Sequence, residues 1–558
     1  MTQASAEITR RRAGFPKGHP LVPDAVRRVD ALLGAAQLRR DLLVEYLHRI
    51  QDALGCLQAD DLVALAARMR LAPVEVFEVA SFYHHFEVSE RATPPVLTVR
   101  VCDSLSCAMA GADSLIDALS ALPSEAVRVQ RVPCIGRCDA APAAMLGGYP
   151  VAPASQAAVE AAIAAGRTTA ETPDAIGYDA YVAGGGYVAL ARCHNDPTFA
   201  EQVFEALDVA GLRGLGGAGF PTARKWRIVR AQPAPRLMVV NLDEGEPGTF
   251  KDRVVLESDP HRMLEGMLIA ACVTGCEAIY IYLRDEYPAI HALLARELAV
   301  LGARLAVPVP PIHLRRGAGA YVCGEESALI ESLEGKRGMP RLRPPFVAER
   351  GLFDRPTLVN NGETLWWVRQ LAEGGAEAFR DAGENGRSGL RRFSVSGRVA
   401  KPGVVLAPAG ITLTRLVDDY CGGMAPGHRL QGYFPGGASG GILPARLADV
   451  PLDFDTLSAH GCFIGSAAII VFSDHDDVRA LACNAMRFFA HESCGKCTPC
   501  RVGTQKAADL MALPKWDAAL LGELAATMRD ASICGLGQAA PNPLECALRY
   551  FPEAFCDD

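Results

Sequence analysis

Apolar residues recur every three or four positions through the first part of the chain, from residue 24 to about residue 90. The segments DLLVEYLHRIQDALG, ADDLVALAARMR and APVEVFEVASFYHHF show this spacing, and Pro73 stands near the start of the third. Such spacing places apolar side chains on one face of a helix. We therefore predict a helical bundle over residues 24–90.

Strand-like and helix-like patterns alternate between residues 95 and 165. VLTVRVC, EAVRVQRV and AAMLGGYPVA are predicted strands, and GADSLIDALSAL is a predicted helix between the first two. This alternation predicts a small α/β domain. Residues 166–200 mix Thr, Gly, Asp and Pro, and we predict that they form a linker.

The rest of the chain divides into three regions by pattern. Over residues 201–387, RLMVVNLDE and AIYIYLRDE have the length of buried strands and MLEGMLIAACVTG is a helix between them, which indicates another α/β domain. Residues 388–450 are rich in Gly and Pro, with β patterns and one short helix, TRLVDDYCG. From 472 to 558 helices return, and GCFIGSAAIIVF near residue 461 is predicted to be a buried pair of strands.

Composition and charge exclude several classes of protein. Half of the 558 residues are hydrophobic and 22% are charged, so the chain can bury large cores. Its formal net charge of −8 argues against nucleic acid as the main partner. No apolar run reaches the ~18–20 residues that span a bilayer. The arginine triplet Arg10 to Arg12 has no apolar segment after it, so we expect no secretory signal and a cytoplasmic protein.

Eighteen cysteines in a protein expected to be cytoplasmic indicate metal or redox sites rather than disulfides. Cys494, Cys497 and Cys500 stand at intervals of three, and Cys534 or Cys546 could supply a fourth ligand. Three close thiolates and one remote thiolate suit a four-iron cluster better than zinc, which usually takes two separated pairs. Inert core cysteines are the remaining alternative.

A second group of four cysteines lies nearer the N-terminus. It comprises Cys102, Cys107, Cys134 and Cys138. Both pairs follow predicted strands, so they would lie on neighbouring loops at one end of a sheet. The first spacing resembles half of a two-iron site, but the second does not match the plant type, so zinc and a structural role stay open. The other ten cysteines, such as Cys272 and Cys276, are predicted to be buried small hydrophobic residues.

A glycine-rich loop follows a helical pattern in the middle of the chain. GLRGLGGAGFPTARKW contains G-x-G-x-x-G through Gly214, Gly216 and Gly219. A dinucleotide fingerprint should follow a strand, and this loop does not. The next predicted helix carries Lys225, so backbone N–H groups and one ammonium could hold a phosphate. A glycine turn needed only for packing is the alternative.

Two acidic segments and one amide pair add candidate ligands. NLDEGEPGTFKDR, residues 241–253, carries three carboxylates after a predicted strand, and GAGAYVCGEES places Glu325 and Glu326 at a glycine turn that opens a helix. Carboxylates repel phosphate, so ribityl or ribose hydroxyls and polar ring edges would suit them. NNGETL, residues 360–365, adds two amides that can read a heterocycle. Stabilisation of helix N-termini by these acids is the alternative.

Taken together, GLRGLGGAGFPT, NLDEGEPGTFKDR, GAYVCGEES, NNGET, ESCGKCTPCR and ICGLG resemble the FMN-containing, NADH-oxidising subunit of respiratory complex I and its relatives. The part from EYLHRIQDALG through ASFYHHF to VCDSLSC and PCIGRCDAAP is similar to the separate two-iron subunit of that complex. Among fused forms, the chain most resembles the β subunits of cytoplasmic, NAD-dependent formate dehydrogenases that contain molybdenum or tungsten. The diaphorase subunits of NAD-reducing hydrogenases are the near alternative.

The resemblance implies a multidomain α/β fold. After the N-terminal helical bundle, it implies a thioredoxin-like [2Fe–2S] domain over 95–165, a linker over 166–200, a Rossmann-like FMN- and NAD-binding domain over 201–387, a ubiquitin-like β-grasp domain over 388–450, and a C-terminal helical bundle with a [4Fe–4S] cluster over 472–558. The implied [2Fe–2S] ligands are Cys102, Cys107, Cys134 and Cys138. The implied [4Fe–4S] ligands are Cys494, Cys497, Cys500 and Cys534, which favours Cys534 over Cys546.

The resemblance also implies where FMN and NAD bind. The implied FMN contacts are Gly214, Gly216, Gly217, Gly219, Lys225, Asn241, Asp243, Tyr321, Gly324, Glu325, Glu326, Asn360, Asn361 and Thr364. For NAD, Phe220 and Phe346 would be aromatic platforms and Glu246 would reach the ribose. Leu215 and Arg343 depart from the arginine and lysine of the respiratory subunit, which could change the affinity for NAD phosphates.

The implied chemistry belongs to the flavin, which converts a two-electron hydride into single electrons, so no side chain need act as acid, base or nucleophile. Glu325 and Glu326 are predicted to tune the flavin. A carboxylate ~4 Å away would oppose its reduction by about 4 kcal/mol at an effective dielectric near 20. Over two electrons this lowers the potential by roughly 90 mV.

The implied partner is a catalytic α subunit with a molybdenum or tungsten pterin cofactor and further iron–sulfur clusters, where formate would be oxidised. NAD(H) is the implied small-molecule substrate. A zinc-stabilised scaffold without enzymatic activity is the alternative from a different class.

Overall fold

The computed structural model describes residues 19–35, 38–89, 97–121 and 127–555. The described residues form two compact units, of which the first comprises those up to residue 89 with Glu334–Arg337 and the second comprises the others from residue 97 onward. The arginine triplet near the N-terminus and the predicted domain boundary at 90–95 lie outside the described residues. Within the described residues, no helix has the length and apolar character to cross a membrane.

The first unit is helical, as the periodicity predicts. Its helices are α1 Pro23–Leu33, α2 Leu43–Leu54, α3 Ala59–Met69 and α4 Pro73–Ala80. Val29, Leu47, Leu65 and Val76 point inward and are fully buried. Two two-residue strands, β1 Leu57–Gln58 and β2 Val88–Ser89, pair in parallel and were not predicted, because such short strands show no alternation.

The second unit begins with a four-stranded sheet in the order β4-β3-β5-β6. Its strands are β3 Leu97–Cys102, β4 Val127–Val132, β5 Ala144–Leu146 and β6 Tyr149–Val151, and its helices are α5 Leu105–Met109, α6 Ala112–Ser120 and α7 Gln156–Ala164. The single strand predicted over AAMLGGYPVA is in fact the antiparallel pair β5 and β6. Gly147 at φ +56° forms the turn that divides them.

Residues 166–200 differ from the predicted linker. From residue 178 onward they form α8 Tyr178–Ala183 and α9 Val188–Asn195. The Tyr181 hydroxyl donates a hydrogen bond to buried Glu265 at 2.6 Å, so this segment packs into the following domain. The run of three glycines between the two helices hides their short apolar pattern in the sequence.

A parallel four-stranded sheet, in the order β10-β7-β8-β9, forms the next domain and confirms the predicted α/β pattern. Its strands are β7 Arg236–Leu242, β8 Cys276–Leu283, β9 Ile312–Arg316 and β10 Thr357–Asn361. Its helices are α10 Phe199–Ala210, α11 Thr222–Arg230, α12 Lys251–Ser258, α13 Pro260–Thr274, α14 Pro288–Arg304, α15 Glu326–Leu333, α16 Gly362–Gln370 and α17 Ala376–Asp381. The carboxyl ends of parallel strands share one edge, where ligands of such sheets usually bind.

A mixed five-stranded sheet follows, in the order β12-β11-β15-β13-β14. Its elements are β11 Leu390–Gly397, β12 Gly403–Pro408, α18 Leu413–Arg415, β13 Leu430–Phe434, β14 Leu443–Pro444 and β15 Ala468–Ser473. Because β15 lies between β11 and β13, this domain extends beyond its predicted end at residue 450. GCFIGSAAIIVF contains only β15 rather than two strands, since Gly461, Gly465 and Ala467 have positive φ and cannot continue a strand.

The C-terminal region is helical, as predicted. It contains α19 Val478–Glu492, α20 Thr498–Met511, α21 Ala518–Ala531, α22 Gly535–Ala539 and α23 Asn542–Tyr550. The predicted apolar face of α19 is buried along its whole length, at Val478, Leu481, Ala482, Ala485, Met486 and Phe489.

Candidate functional site

The four N-terminal cysteines lie together at one end of the first sheet. Cys102 ends β3, Cys107 lies on α5, and Cys134 and Cys138 lie on the loop after β4. All four are buried, and the sulfurs of Cys134 and Cys138 are 3.3 Å apart. Gly136 lies between those two, and its N–H donates to the Cys134 sulfur at 3.4 Å. Four converging thiols with a backbone donor fit a two-iron cluster.

Two buried arginines join this cysteine loop to the acidic segment 243–246. Arg284 donates to the carbonyl oxygen of Cys134 at 2.6 Å and also to the carbonyl oxygen of Glu244. Arg253 donates to the carbonyl oxygen of Gly136 at 3.0 Å. The cysteine loop is therefore fixed directly against one of the segments predicted to bind a nucleotide.

The C-terminal cysteines line one small cavity between α19, α20 and α22. Its lining includes Cys494, Cys497, Cys500 and Cys534. Cys546 lies elsewhere, with its sulfur 3.5 Å from the sulfur of Cys462 in a fully buried pair. The structure thus places Cys534, and not Cys546, with the three closely spaced cysteines. The four thiols and the cavity fit a four-iron cluster.

The glycine loop between α10 and α11 is closed by its own backbone. The Gly214 N–H donates to the Phe220 carbonyl at 2.9 Å, and the Gly219 N–H donates to the Gly214 carbonyl at 3.2 Å. Gly219 has φ +63°, and a Cβ there would lie 2.5 Å from the ring of Phe454. A Cβ on Gly216 would lie 3.0 Å from Asn361, so the loop needs glycine where it meets NNGET.

Residues of the NNGET segment contact this glycine loop. The Leu215 N–H donates to the Thr364 hydroxyl at 2.8 Å. Asn361 caps α16 through the Thr364 N–H and donates to Asp252 at 2.6 Å. Asn360 accepts a hydrogen bond from the Trp226 indole at 2.9 Å. Both predicted amides, Asn360 and Asn361, therefore form hydrogen bonds within the protein at this edge of the sheet.

Three more predicted FMN residues meet at the same edge. Asn241 donates to the carbonyl oxygen of Gly324 at 2.9 Å, and Lys225 donates to the carbonyl oxygen of Val359 at 3.2 Å. The Oδ2 atom of Asp243 is buried and has no hydrogen-bond partner among the described residues. Burial raises the pKa of Asp243 well above its usual value. An orphaned carboxyl oxygen beside a glycine cradle fits a ligand that supplies hydroxyl donors, as a ribityl chain does.

Glu325 and Glu326 have partners within the protein. The Glu325 carboxylate accepts hydrogen bonds from the N–H groups of Ser327 at 3.0 Å and Ala328 at 2.9 Å, and it pairs with Arg343. Glu326 lies 3.6 Å from the Lys225 ammonium. Glu325 therefore stabilises the start of α15, which was the alternative interpretation. Since both charges are compensated, we expect their effect on a flavin potential to be well below the value for free carboxylates.

The residues predicted to contact NAD differ in exposure and in the partners that they already have within the protein. Phe220 and Phe346 are 38% and 52% exposed, so their rings can receive a planar ligand. Glu246 accepts hydrogen bonds from the Tyr321 hydroxyl and, at 2.8 Å, from the Ser439 N–H. Each carboxylate oxygen of Glu246 thus has one donor within the protein and can accept a second from a ribose hydroxyl.

Glu246 also gives a prediction about pH. Burial raises the pKa of its carboxyl to about 7, although the bonds from Tyr321 and Ser439 oppose the shift. The folded state then binds a proton that the unfolded state has lost between about pH 4.5 and 7, so stability falls as pH rises through this range. This fall in the free energy of unfolding should be smaller in Glu246→Gln than in wild type, by at most about 3 kcal/mol.

The measurement is the melting temperature of wild type and Glu246→Gln at pH 5 and pH 8. The matched control is Glu377→Gln, because Glu377 is exposed on α17. Equal losses between the two pH values in wild type and Glu246→Gln would contradict the prediction.

Sequence reasoning missed the buried charges behind the glycine loop. Lys251, Asp252 and Glu363 form a contiguous group, with the ammonium 2.9 Å from Asp252 and 3.1 Å from Glu363. The only signal in the sequence was KDR at the end of NLDEGEPGTFKDR, and charged residues in such a run usually face solvent.

Comparison with known protein families gives three matches. Residues 207–370 match the family described as Nuo51 FMN-binding domain, and residues 480–558 match the NADH-ubiquinone oxidoreductase-F iron-sulfur binding region. Residues 29–167 match the thioredoxin-like [2Fe-2S] ferredoxin family. These matches assign FMN, a [2Fe–2S] cluster and a [4Fe–4S] cluster as the cofactors, and the three matched segments contain the glycine loop and both cysteine groups.

Individual relatives agree with the family matches. The F 2 subunit of NADH-quinone oxidoreductase in Rhizobium meliloti (strain 1021) is 40% identical over 402 residues, which cover 69% of this chain and 95% of that protein. The F subunit of the Aquifex aeolicus (strain VF5) enzyme is 38% identical, covering 69% and 92%. A chain of the NAD+-reducing [NiFe]-hydrogenase, in the crystal structure of its H2-reduced state, superposes with a TM-score of 0.82 at 34% identity over 93% of both chains.

Proposed function

Since this chain belongs to the family of NADH-quinone oxidoreductase F subunits and is an NADH-oxidising electron-transfer subunit, we propose that it couples NAD+ reduction to formate oxidation on a partner protein. The partner would carry a molybdenum or tungsten pterin cofactor and further iron–sulfur clusters. The family assignment sets aside the zinc-stabilised scaffold as an alternative.

One observation carries the electron-transfer part of the proposal. A single compact unit holds the glycine loop and both cysteine groups, and the segment 243–248 connects them. Within that segment, Glu244 is bonded to Arg284 beside the two-iron loop, and Glu246 is bonded to Tyr321. The ring of Tyr321 packs on Phe488 of α19, 5.0 Å between centroids, and α19 leads directly to Cys494.

The residues present fit FMN at the edge of the parallel sheet. We propose that backbone N–H groups of the glycine loop and Lys225 hold its phosphate, and that Asp243 receives ribityl hydroxyls. Bound FMN would exchange two electrons with NAD(H) and single electrons with the clusters. Phe220 and Phe346, whose rings are exposed, would stack the nucleotide substrate.

Formate is the first candidate donor because the whole fused chain, from the two-iron motifs to ICGLG, resembles the β subunits of formate dehydrogenases. Hydrogen is the second candidate. It is favoured by the superposition with the NAD+-reducing [NiFe]-hydrogenase chain, which spans 93% of this chain, whereas the F subunits span 69%. Both candidates assign the same work to this chain and differ only in the partner.

The test is to purify the native complex through a tag on this chain and to supply NAD+ with formate or with H2. We expect NADH to form with formate, and molybdenum or tungsten to copurify. Formation of NADH with H2, together with copurified nickel, would identify hydrogen rather than formate as the electron donor. A complex that oxidises NADH with an artificial acceptor but responds to neither donor would overturn both assignments and leave the diaphorase role intact.

A further inference from the structure

Two cysteines outside the cluster sites share an open pocket on the parallel-sheet domain. Cys193 lies in the last turn of α9 and Cys272 in the last turn of α13. Both are partly exposed and line this one pocket, on two helices that pack against each other. The pocket has a volume of about 220 Å³ and opens to solvent. Cys272 was expected to be an inert core residue, as Cys276 is, and the structure instead places it at the surface beside a second thiol.

This pair differs from the other close pair outside the cluster sites, Cys462 and Cys546. Those two are 3% and 2% exposed, so a dissolved reagent cannot reach them in the folded protein. The pocket at Cys193 and Cys272 is open to solvent, and its floor is the end of α13 at Thr274 and Gly275. A small molecule can therefore approach these thiols without unfolding the domain.

Two arginines line the same pocket and give it a cationic wall. Arg230 is paired with Glu201 at 2.6 Å, which offsets its charge. Arg236 donates through Nη1 to the carbonyl oxygen of Gln232 at 2.6 Å and has no carboxylate partner among the described ion pairs. Its Nε is buried and has no hydrogen-bond partner in the described part of the chain. Because Arg236 lines the pocket and its charge is not offset by a carboxylate among the described ion pairs, its guanidinium can receive an anion next to the thiols.

The two thiols are not equivalent. The hydrogen bond from Cys193 lowers the pKa of Cys272 to about 7, whereas the same contact and burial raise the pKa of Cys193. The lowered pKa favours the thiolate of Cys272, which is the nucleophile in disulfide exchange, and the raised pKa favours the protonated thiol of Cys193.

We propose that Cys193 and Cys272 form a redox-active dithiol that reacts with small anionic disulfides bound against Arg236. The Cys272 thiolate attacks one sulfur of the disulfide RSSR, whose S–S bond breaks and releases RS⁻, leaving a mixed disulfide on Cys272. Cys193 then loses its proton and attacks the Cys272 sulfur, which releases the second RS⁻. In total, one protein dithiol and one RSSR give one protein disulfide and two RSH, so the protein is oxidised by two electrons and RSSR is reduced.

The product would link α9 to α13. The bond therefore ties the segment 178–195 to the helix whose centre supports the FMN domain, where Glu265 already bonds Tyr181. This chemistry is separate from NAD(H) oxidation and does not rest on the identity of the partner protein.

The test uses the intact holoprotein under anaerobic conditions, with oxidised glutathione as the anionic disulfide and 2-hydroxyethyl disulfide as a neutral one. Peptide mass spectrometry should find a Cys193–Cys272 disulfide in wild type, while visible absorbance checks that the clusters survive. Cys193→Ser should stop at a stable mixed disulfide on Cys272, and Cys272→Ser should give neither product. These intermediates distinguish ordered exchange from unspecific thiol oxidation.

Arg236→Gln tests the anion site. It should slow the reaction with oxidised glutathione by about three- to tenfold, the size of one partly exposed ionic contact, and leave the neutral disulfide unaffected. Arg415→Gln, at an exposed ion pair distant in sequence, is the matched control and should change neither rate. Absence of the Cys193–Cys272 disulfide with intact clusters would overturn the proposal. Equal slowing of both disulfides in Arg236→Gln would overturn its anionic part.

Discussion

Replacing Cys534 by serine is expected to remove the four-iron cluster, and replacing Cys546 by serine is expected to retain it. Both residues follow the C-x2-C-x2-C motif in sequence, but only Cys534 lines the cavity with the three spaced cysteines. A cubane cluster needs four ligands, and serine is a poor substitute for a thiolate on iron. Iron should fall from about six to about two atoms per chain in Cys534→Ser.

Iron and sulfide analysis, with electron paramagnetic resonance of the NADH-reduced protein, separates the two variants. The signal of the two-iron cluster should persist in Cys534→Ser, because its cysteines lie on the loops of a separate sheet. Cys546→Ser should keep both signals and lose only the buried contact with Cys462. Loss of the four-iron signal in Cys546→Ser, with Cys534→Ser intact, would reverse the ligand assignment.

The cysteine sites could be predicted because their chemistry is local. Three thiols within seven residues, or two pairs after two strands, remain close in any fold that keeps those loops. The choice between Cys534 and Cys546 could not be made from spacing alone, since both are distant in sequence from the motif. The fold favours Cys534 through the turn before α22, which brings this residue to the cavity.

Other features depended on packing that no pattern reveals. Glu325 was predicted as a flavin ligand, but its acceptor bonds to α15 follow from a helix starting at residue 326. The pair of Cys193 and Cys272 arises because a segment predicted to be a linker folds into α9 and packs on α13. In the five-stranded sheet, the central strand β15 comes last in sequence. Local composition therefore could not show where this domain ends, and the predicted end at residue 450 leaves out its central strand.

Replacing Lys251 by methionine is expected to destabilise the FMN domain by about 3–5 kcal/mol, the usual effect of leaving buried carboxylates without their counter-charge. Lys251 is 1% exposed, and its ammonium lies between Asp252 and Glu363, which are also buried. The two carboxylates offset the burial penalty and raise the pKa of the lysine, so the group is charged in the folded protein.

The Lys251→Met substitution should also weaken the FMN site, because Asp252 positions the NNGET segment that contacts the glycine loop. Its Oδ2 accepts from Asn361 at 2.6 Å, and its Oδ1 accepts from the Glu363 N–H at 3.2 Å. Asn361 in turn caps α16 and touches Gly216. Without the lysine, the Asp252 carboxylate loses its buried cation and must move toward water, which alters the Asn361 contact. We therefore expect FMN to be bound less tightly as well.

The measurement is the melting temperature and the FMN content of Lys251→Met beside wild type, with Arg415→Gln as the control. Arg415 pairs with Glu384 and Asp419 but is about half exposed, so its loss should change stability by no more than about 1 kcal/mol. Glu363 keeps Arg392 at 3.6 Å, whereas the described ion pairs give Asp252 no cation besides Lys251. Adding Asp252→Asn to Lys251→Met therefore removes the carboxylate left without a cation, and part of the stability should return. A Lys251→Met protein as stable as the Arg415→Gln control would contradict the prediction. In that case the ammonium would contribute little to holding the FMN loop.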